Sequence, residues 1–210
     1  MTSIQEEAWA GSFGSRYTER NIGLIGANVE FFRRTGVVQM VQHVVHEPRI
    51  LELGCGSGQN LAALSHLMPA AALAGVDINA DAVHAARHIV PRAVFRCQSV
   101  FNPFPTGPAG PWDVVLTKGL LIHIPASSLP RMYDLLYQAT RRYILIAEYY
   151  APQREEILYR GLSSMLWKGP FADELLDRHG DLKVVNYGFV WRRDPMCPQD
   201  DLTWWLLEKP

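Results

Sequence analysis

The sequence predicts an α/β fold: a doubly wound, seven-stranded, mostly parallel sheet that ends in an antiparallel C-terminal strand pair. Three observations predict it. Short apolar runs alternate with stretches of helical spacing between residues 49 and 150, and strands that alternate with helices pair in parallel through right-handed crossovers. A loop with three glycines, Gly54, Gly56 and Gly58, follows the first run and opens the first helix, at the carboxyl end of a strand where such sheets bind ligands. Two strand-like runs, 182–191 and 202–208, close the chain with no helix between them, so one runs antiparallel to the other.

The elements follow in order. Val44-His46-Glu47-Pro48 breaks a helical stretch, and Arg49 to Leu53 is a short buried strand. Leu61, Leu64, Leu67 and Met68 recur at helical spacing until Pro69 stops them. Ala72 to Val76 is a second strand, ending in Asp77. Asn79 caps the next helix, with Asp81 in its first turn and Pro91 past its end. Ala93 to Arg96 is a third strand, and a proline- and glycine-rich loop spans 102–111. WDVVLTKG is the fourth strand. Ser127 or Ser128 caps a helix through Thr140, with Pro130 in its first turn. RYILIAEYY is the fifth strand. Residues 153–178 read as mostly helical, interrupted at Gly169-Pro170.

A chain of 210 residues, 48% hydrophobic, fits one domain with a sizeable core. A net charge of -1 gives no pull toward nucleic acid or anionic membrane. Cys55, Cys97 and Cys197 are odd in number and widely spaced, which fits a reducing compartment and no metal cluster. No run approaches the roughly 20 apolar residues of a membrane span, and the first residues lack a secretion-signal core. A cytoplasmic protein is expected.

The glycine loop needs a ligand that comes close to bare backbone. A dinucleotide fingerprint would place its third glycine at position 59, which is Gln59. A P-loop would need Gly-Lys-Ser/Thr. The loop therefore suits no pyrophosphate, although the helix N-terminus behind it favours a carboxylate. Asp77 ends the next strand, where a carboxylate accepts both hydroxyls of a ribose. An amino-acid end, a ribose and an acid partner together describe S-adenosylmethionine.

Region 49–148 resembles the class I S-adenosylmethionine-dependent methyltransferases through ILELGCGSG, GVDIN and WDVVLTKGLLIHIP. Nearly the whole chain is similar to the pseudaminic acid biosynthesis-associated methylases, through WAGSFGSRYTERN, KGLLIHI, RYILIAEYY, YRG, FADE and YGFVWRRD. The resemblance implies a Rossmann-like fold in one domain: an N-terminal helical lid at 1–45, a cofactor-binding core at 49–148, a helical substrate-side insertion at 149–181 and a C-terminal β-hairpin at 182–210. It implies that Glu52 to Gly58, Cys55 and Asn60 included, wrap the methionine half of the cofactor. Asp77 would hold the ribose, and Ile78 would lie against the adenine. Many relatives place an aspartate after strand three to read the adenine amino group; this chain has Ser99-Val100 there. Lys118-Gly119 would border the cofactor, and Tyr17 would belong to the lid.

Candidate catalytic groups cluster at the strand ends. His123 in LLIHIP is either a general base or a packed histidine bonded to backbone. Glu148 and Tyr149, with Tyr150, either act on substrate or face the core. Lys118 neutralises a substrate anion or is solvated. Arg16, Arg20, Arg160 and Lys168 grip an acidic acceptor or form a solvated face. Trp9, Phe13, Tyr17 and Trp167 exclude water or pack the first helix. Trp204 and Trp205 are core or interface.

The expected function is methyl transfer from S-adenosylmethionine to a polar, anionic small molecule, a sugar or nonulosonic-acid-related metabolite, at oxygen or nitrogen. The rivals are a nicotinamide-dependent oxidoreductase, disfavoured by Gln59, a methyltransferase-like protein that binds cofactor without turnover, and methylation of another natural-product or amino-acid-like acceptor. No nucleic-acid or membrane partner is expected, and the C-terminal hairpin is a candidate homodimer surface.

Overall fold

The computed structural model describes residues 3–21, 23–104 and 110–210. Residues 105–109 of the proline- and glycine-rich loop expected at 102–111 lie outside the described residues. The sheet strands are β1 (Arg49–Leu53), β2 (Ala72–Asp77), β3 (Val94–Cys97), β4 (Trp112–Lys118) and β5 (Thr140–Glu148), then β8 (Lys183–Val190) and β9 (Leu202–Glu208), with β6 (Glu155–Glu156) and β7 (Trp167–Lys168) forming a separate small hairpin between them. Their order in the seven-stranded sheet is β3-β2-β1-β4-β5-β9-β8. β1 pairs in parallel with β2 and with β4, so the strand order reverses at the end of β1. β9 runs antiparallel to both β5 and β8.

The helices are α1 (Ile4–Ala10), α2 (Ser12–Arg20), α3 (Ile25–Thr35), α4 (Val37–Val44), α5 (Gln59–Leu67), α6 (Ala80–Ile89), α7 (Leu129–Ala139) and α8 (Phe171–Arg178). Side chains alternate across the strands and divide the core in two. Ile50, Leu116, Leu145 and Leu206 meet Phe31, Val41, Leu61 and Val83 on one face. Leu51, Val115, Ile144 and Leu207 meet Met132, Leu136, Phe171 and Leu175 on the other. Burying apolar strands on both faces is what a parallel sheet requires.

Three expectations need correction. The stretch 153–178 is helical only over Phe171–Arg178. Before it, Glu155 and Glu156 pair with Trp167 and Lys168 in an antiparallel hairpin. Arg160, Gly161 and Ser164 have φ of 52°, 79° and 58°, a left-handed region no helix continues through. The insertion is thus hairpin then helix. Second, the Ser128 side chain does not cap α7; a 3-10 turn, Ala126–Ser128, leads straight into it. Third, β5 starts two residues earlier than expected and ends at Glu148, so Tyr149 and Tyr150 lie beyond the strand.

Candidate cofactor and acceptor site

The glycines behave as their spacing requires. Gly54, Gly56 and Gly58 have φ of 71°, 50° and 77°, values that only glycine adopts cheaply. The Gly54 and Cys55 amides donate to the Val76 carbonyl at 2.8 and 3.0 Å, tying the loop to β2. A Cβ on Gly54 would stand 2.8 Å from Leu120 Cδ1, whereas one on Gly56 would meet nothing within 4 Å. Gly54 is therefore a packing glycine, and Gly56 keeps open the space beside the loop. That space is a cleft at the carboxyl ends of the strands.

Asp77 stands on the cleft wall and braces the loop. Its Oδ2 accepts from the Gly56 amide at 2.8 Å and its Oδ1 from the Asn79 amide at 2.9 Å. Burial pushes its carboxyl up, against those bonds. Glu52 is fully buried beneath the loop and accepts from Asn60 Nδ2 at 2.6 Å. Burial raises its carboxyl to about 8. Glu52 Oε2, Asn60 Oδ1 and Asn28 Oδ1 are buried acceptors without partners, and Asn28 and Asn60 face the cleft. Orphaned buried acceptors are costly. An ammonium group, with three donors, suits them.

Along the same wall, Cys55, Ile78, Ser99, Val100, Lys118 and Gly119 all line the cleft, while Gly58 lies behind it. Burial pushes the Cys55 thiol up, so it is a small packing residue rather than a nucleophile. Burial pushes the Lys118 ammonium down, partly offset by Glu52.

The N-terminal helices roof the cleft. Trp9 is the hub: its ring lies 5.1 Å from Phe13, 5.2 Å from Tyr17 and 4.5 Å from His123. Gly14 is buried where a Cβ would meet the Trp9 carbonyl oxygen at 2.0 Å. Asn79 caps α6 through the Ala82 amide and donates to the carbonyls of Trp9 and Gly11 at 3.0 and 3.2 Å. Gln59 bonds the backbone of Asn21 and Leu24. The residue that breaks the dinucleotide fingerprint thus ties down the chain between α2 and α3. Trp167 is absent from the ring contacts of this roof among the described residues; Tyr159 occupies that role, 5.9 Å from Phe13 and 5.6 Å from His123.

His123 lines the cleft and is 7% exposed. Its Nδ1 donates to the Met165 carbonyl at 2.6 Å, which leaves Nε2 with the lone pair. Burial pulls its pKa down to about 4, so it is neutral at pH 7.

The other expected reacting groups stand elsewhere. Glu148 is fully buried and accepts from the amides of Leu120, Leu121 and Ile122 at 3.1, 3.0 and 3.3 Å. It fixes the turn that carries His123 and is not a cleft residue. Tyr149 donates to Asp200 Oδ2 at 2.6 Å, and Tyr150 packs on Trp205 with ring centroids 5.7 Å apart. Neither lines the cleft. Arg16 and Arg20 are exposed on α2, Arg160 stacks near Tyr159, and Lys168 sits on β7; none reaches the cleft wall. Among the described residues, Lys118 is the one lysine or arginine that lines the cleft. Trp204 is core, against Gly188, where a Cβ would stand 2.7 Å from its ring.

The sequence reading missed Glu6, Asn28, Tyr159 and the Met165 carbonyl. Only Glu6 had a local signal: Ser3 and Glu6 form a capping box.

Comparison with known proteins fits this arrangement. Residues 50–142 match the profile of a family described as a methyltransferase domain. Over those residues the chain is similar to a methyltransferase domain. A search of curated proteins returns no match. Among solved structures, magnesium protoporphyrin IX methyltransferase from Synechocystis PCC 6803, with SAM bound, is 16% identical at a TM-score of 0.66, covering 100% of this chain and 97% of that one. The 1,6-didemethyltoxoflavin-N1-methyltransferase from Burkholderia thailandensis is 14% identical at 0.69, covering 98% and 87%. A plantazolicin methyltransferase is 17% identical at 0.64, covering 98% and 95%. At such identities the likeness is one of fold. The matched residues run from β1 to the start of β5, and the roof and the segment after β5 lie outside them.

Proposed function

We propose that this methyltransferase domain binds S-adenosylmethionine in the roofed cleft and transfers its methyl group to a polar small molecule. One observation carries the reading: a left-handed glycine loop braced by Asp77, with buried orphan acceptors at Glu52, Asn28 and Asn60 beside it. The orphan acceptors take the ammonium of an amino acid. Asp77 holds the ribose, as a carboxylate at a β2 end does. Ile78 and Val100, which line the cleft, would pack against the adenine. When bound, S-adenosylmethionine supplies an activated sulfonium methyl group.

The chain's own work is alignment and exclusion of water. Trp9, Phe13, Tyr17 and Tyr159 close the cleft over the acceptor side. His123 presents Nε2 to the acceptor's hydroxyl or amine and takes its proton; a carboxylate acceptor would need no base. Lys118, whose ammonium burial weakens and Glu52 partly restores, favours an acceptor bearing one anionic group. A sugar acid of the nonulosonic class fits that description, and the motif WAGSFGSRYTERN, which builds the roof, supports it. The three cysteines are free, in keeping with the reducing cytoplasm. A homodimer would pair through β8, the sheet's outer strand, where Tyr187 and Phe189 are exposed.

The test is methyl transfer from labelled S-adenosylmethionine to fractionated polar metabolites. Label in an anionic fraction supports the reading. Cofactor binding without transfer to any fraction refutes turnover.

A further inference from the structure

The position where strand three would present an adenine-reading carboxylate holds Ser99, and the missing carboxylate arrives from elsewhere. Glu6, on α1 and 93 residues away in sequence, accepts a hydrogen bond from Ser99 Oγ at 2.5 Å. Both residues line the cleft, next to Val100 and Ile78. Glu6 Oε2 accepts from the Ser3 amide at 3.0 Å and closes the helix cap. Ser99 Oγ also accepts from the Phe101 amide at 3.2 Å, which fixes its orientation toward Glu6. Burial alone would raise the Glu6 carboxyl, but the bonds from Ser99 and Ser3 outweigh it and hold the group ionised. On the same helix, the Trp9 indole N–H is a buried donor without a partner, in a residue that lines the same cleft.

We propose that Glu6 reads the exocyclic amine of the cofactor's adenine, with Ser99 as its positioning partner, so that recognition of the nucleobase and seating of α1 are one event. The inference rests on the S-adenosylmethionine reading above. An ionised carboxylate is acceptor only. It rewards an amine donor and repels a carbonyl oxygen at the same place. Specificity for adenine over a 6-oxo purine then depends on a helix that is itself the roof. A cofactor lacking the amine would leave α1 without its ligand contact, and the roof less firmly held.

The test uses the full chain and two probes, S-adenosylhomocysteine and S-inosylhomocysteine, titrated by calorimetry. Wild type prefers the adenosyl compound. Glu6→Gln keeps the helix cap, because glutamine serves at that position, but offers an N–H to a 6-oxo group. The preference should fall by about tenfold or more, the scale of one charge-assisted hydrogen bond. Adding Ser99→Asp to Glu6→Gln supplies a carboxylate from the strand instead and should restore the preference, which also shows that the fold survives. An unchanged preference in Glu6→Gln overturns the proposal while leaving the cofactor reading intact. Failure of wild type to bind the adenosyl compound overturns both.

Discussion

Asp77 Oδ2 accepts the Gly56 amide at 2.8 Å, so the acid that ends β2 also sets the shape of the loop that ends β1. Two features that stand 21 residues apart in sequence form one bracket around the cleft. A change at either should be felt at the other.

Gly56→Ala tests the bracket. Its left-handed φ costs an alanine about 1–2 kcal/mol of stability, yet no neighbour obstructs the new methyl group. The methyl enters the ligand's space instead. Thermal unfolding should show a modest loss, and S-adenosylhomocysteine affinity should fall by at least tenfold, about 1.4 kcal/mol. Gly54→Ala should show the reverse weighting, because its Cβ meets Leu120.

Glu52 gives a pH prediction. Burial raises its carboxyl from the ordinary 4.5 to about 8. Its contribution to stability is therefore fully present below pH 4.5 and lost as pH rises through 8. A ligand ammonium beside it favours the ionised form. Binding near pH 7 should release part of a proton, seen as a binding enthalpy that depends on buffer ionisation heat. Glu52→Gln should remove that dependence; its persistence in the variant assigns the proton elsewhere.

His123 has the opposite sign. Its pKa falls from 6.5 to about 4, so its contribution is present above pH 6.5 and lost as pH falls through 4. No histidine titration should appear in kcat/KM between pH 6 and 8, about the range over which an ordinary imidazole would titrate. His123→Ala should lower turnover by more than about threefold, a loss in transition-state stabilisation. Turnover within that margin points to a carboxylate acceptor.

Asn79 joins two elements, the cap of α6 and the turn between α1 and α2. Asn79→Ala should cost about 1–2 kcal/mol as a lost cap, measured by urea denaturation. It should also raise the cofactor KM by loosening the roof. A stability loss with an unchanged KM would separate roof from cofactor.

Much of this was legible in sequence because the signals are local. The strand, glycine loop and helix from 49 to 67 carry their own period and breakers, and Asn79 carries its own cap. What failed was non-local. Leu158, Leu162, Met165 and Leu166 recur at helical spacing, yet the left-handed backbone at Arg160 and Gly161 turns them into a hairpin. Leu158 is 69% exposed as a result. Glu148 and Tyr149 stand at a strand end, as reacting groups do, but backbone amides and Asp200 claim them. Arg16 and Arg20 are exposed on α2 and do not line the cleft. Glu6 was invisible as a site residue, since only the folded chain brings it to Ser99.

The most direct measurement is a calorimetric titration of wild type and Asp77→Ala with S-adenosylhomocysteine. Saturable one-to-one binding, weakened in the variant by about 1–3 kcal/mol for the lost charged hydrogen bonds, is the predicted result. Equal affinity in the two proteins, or no heat in either, would contradict a cofactor held between that aspartate and the glycine loop.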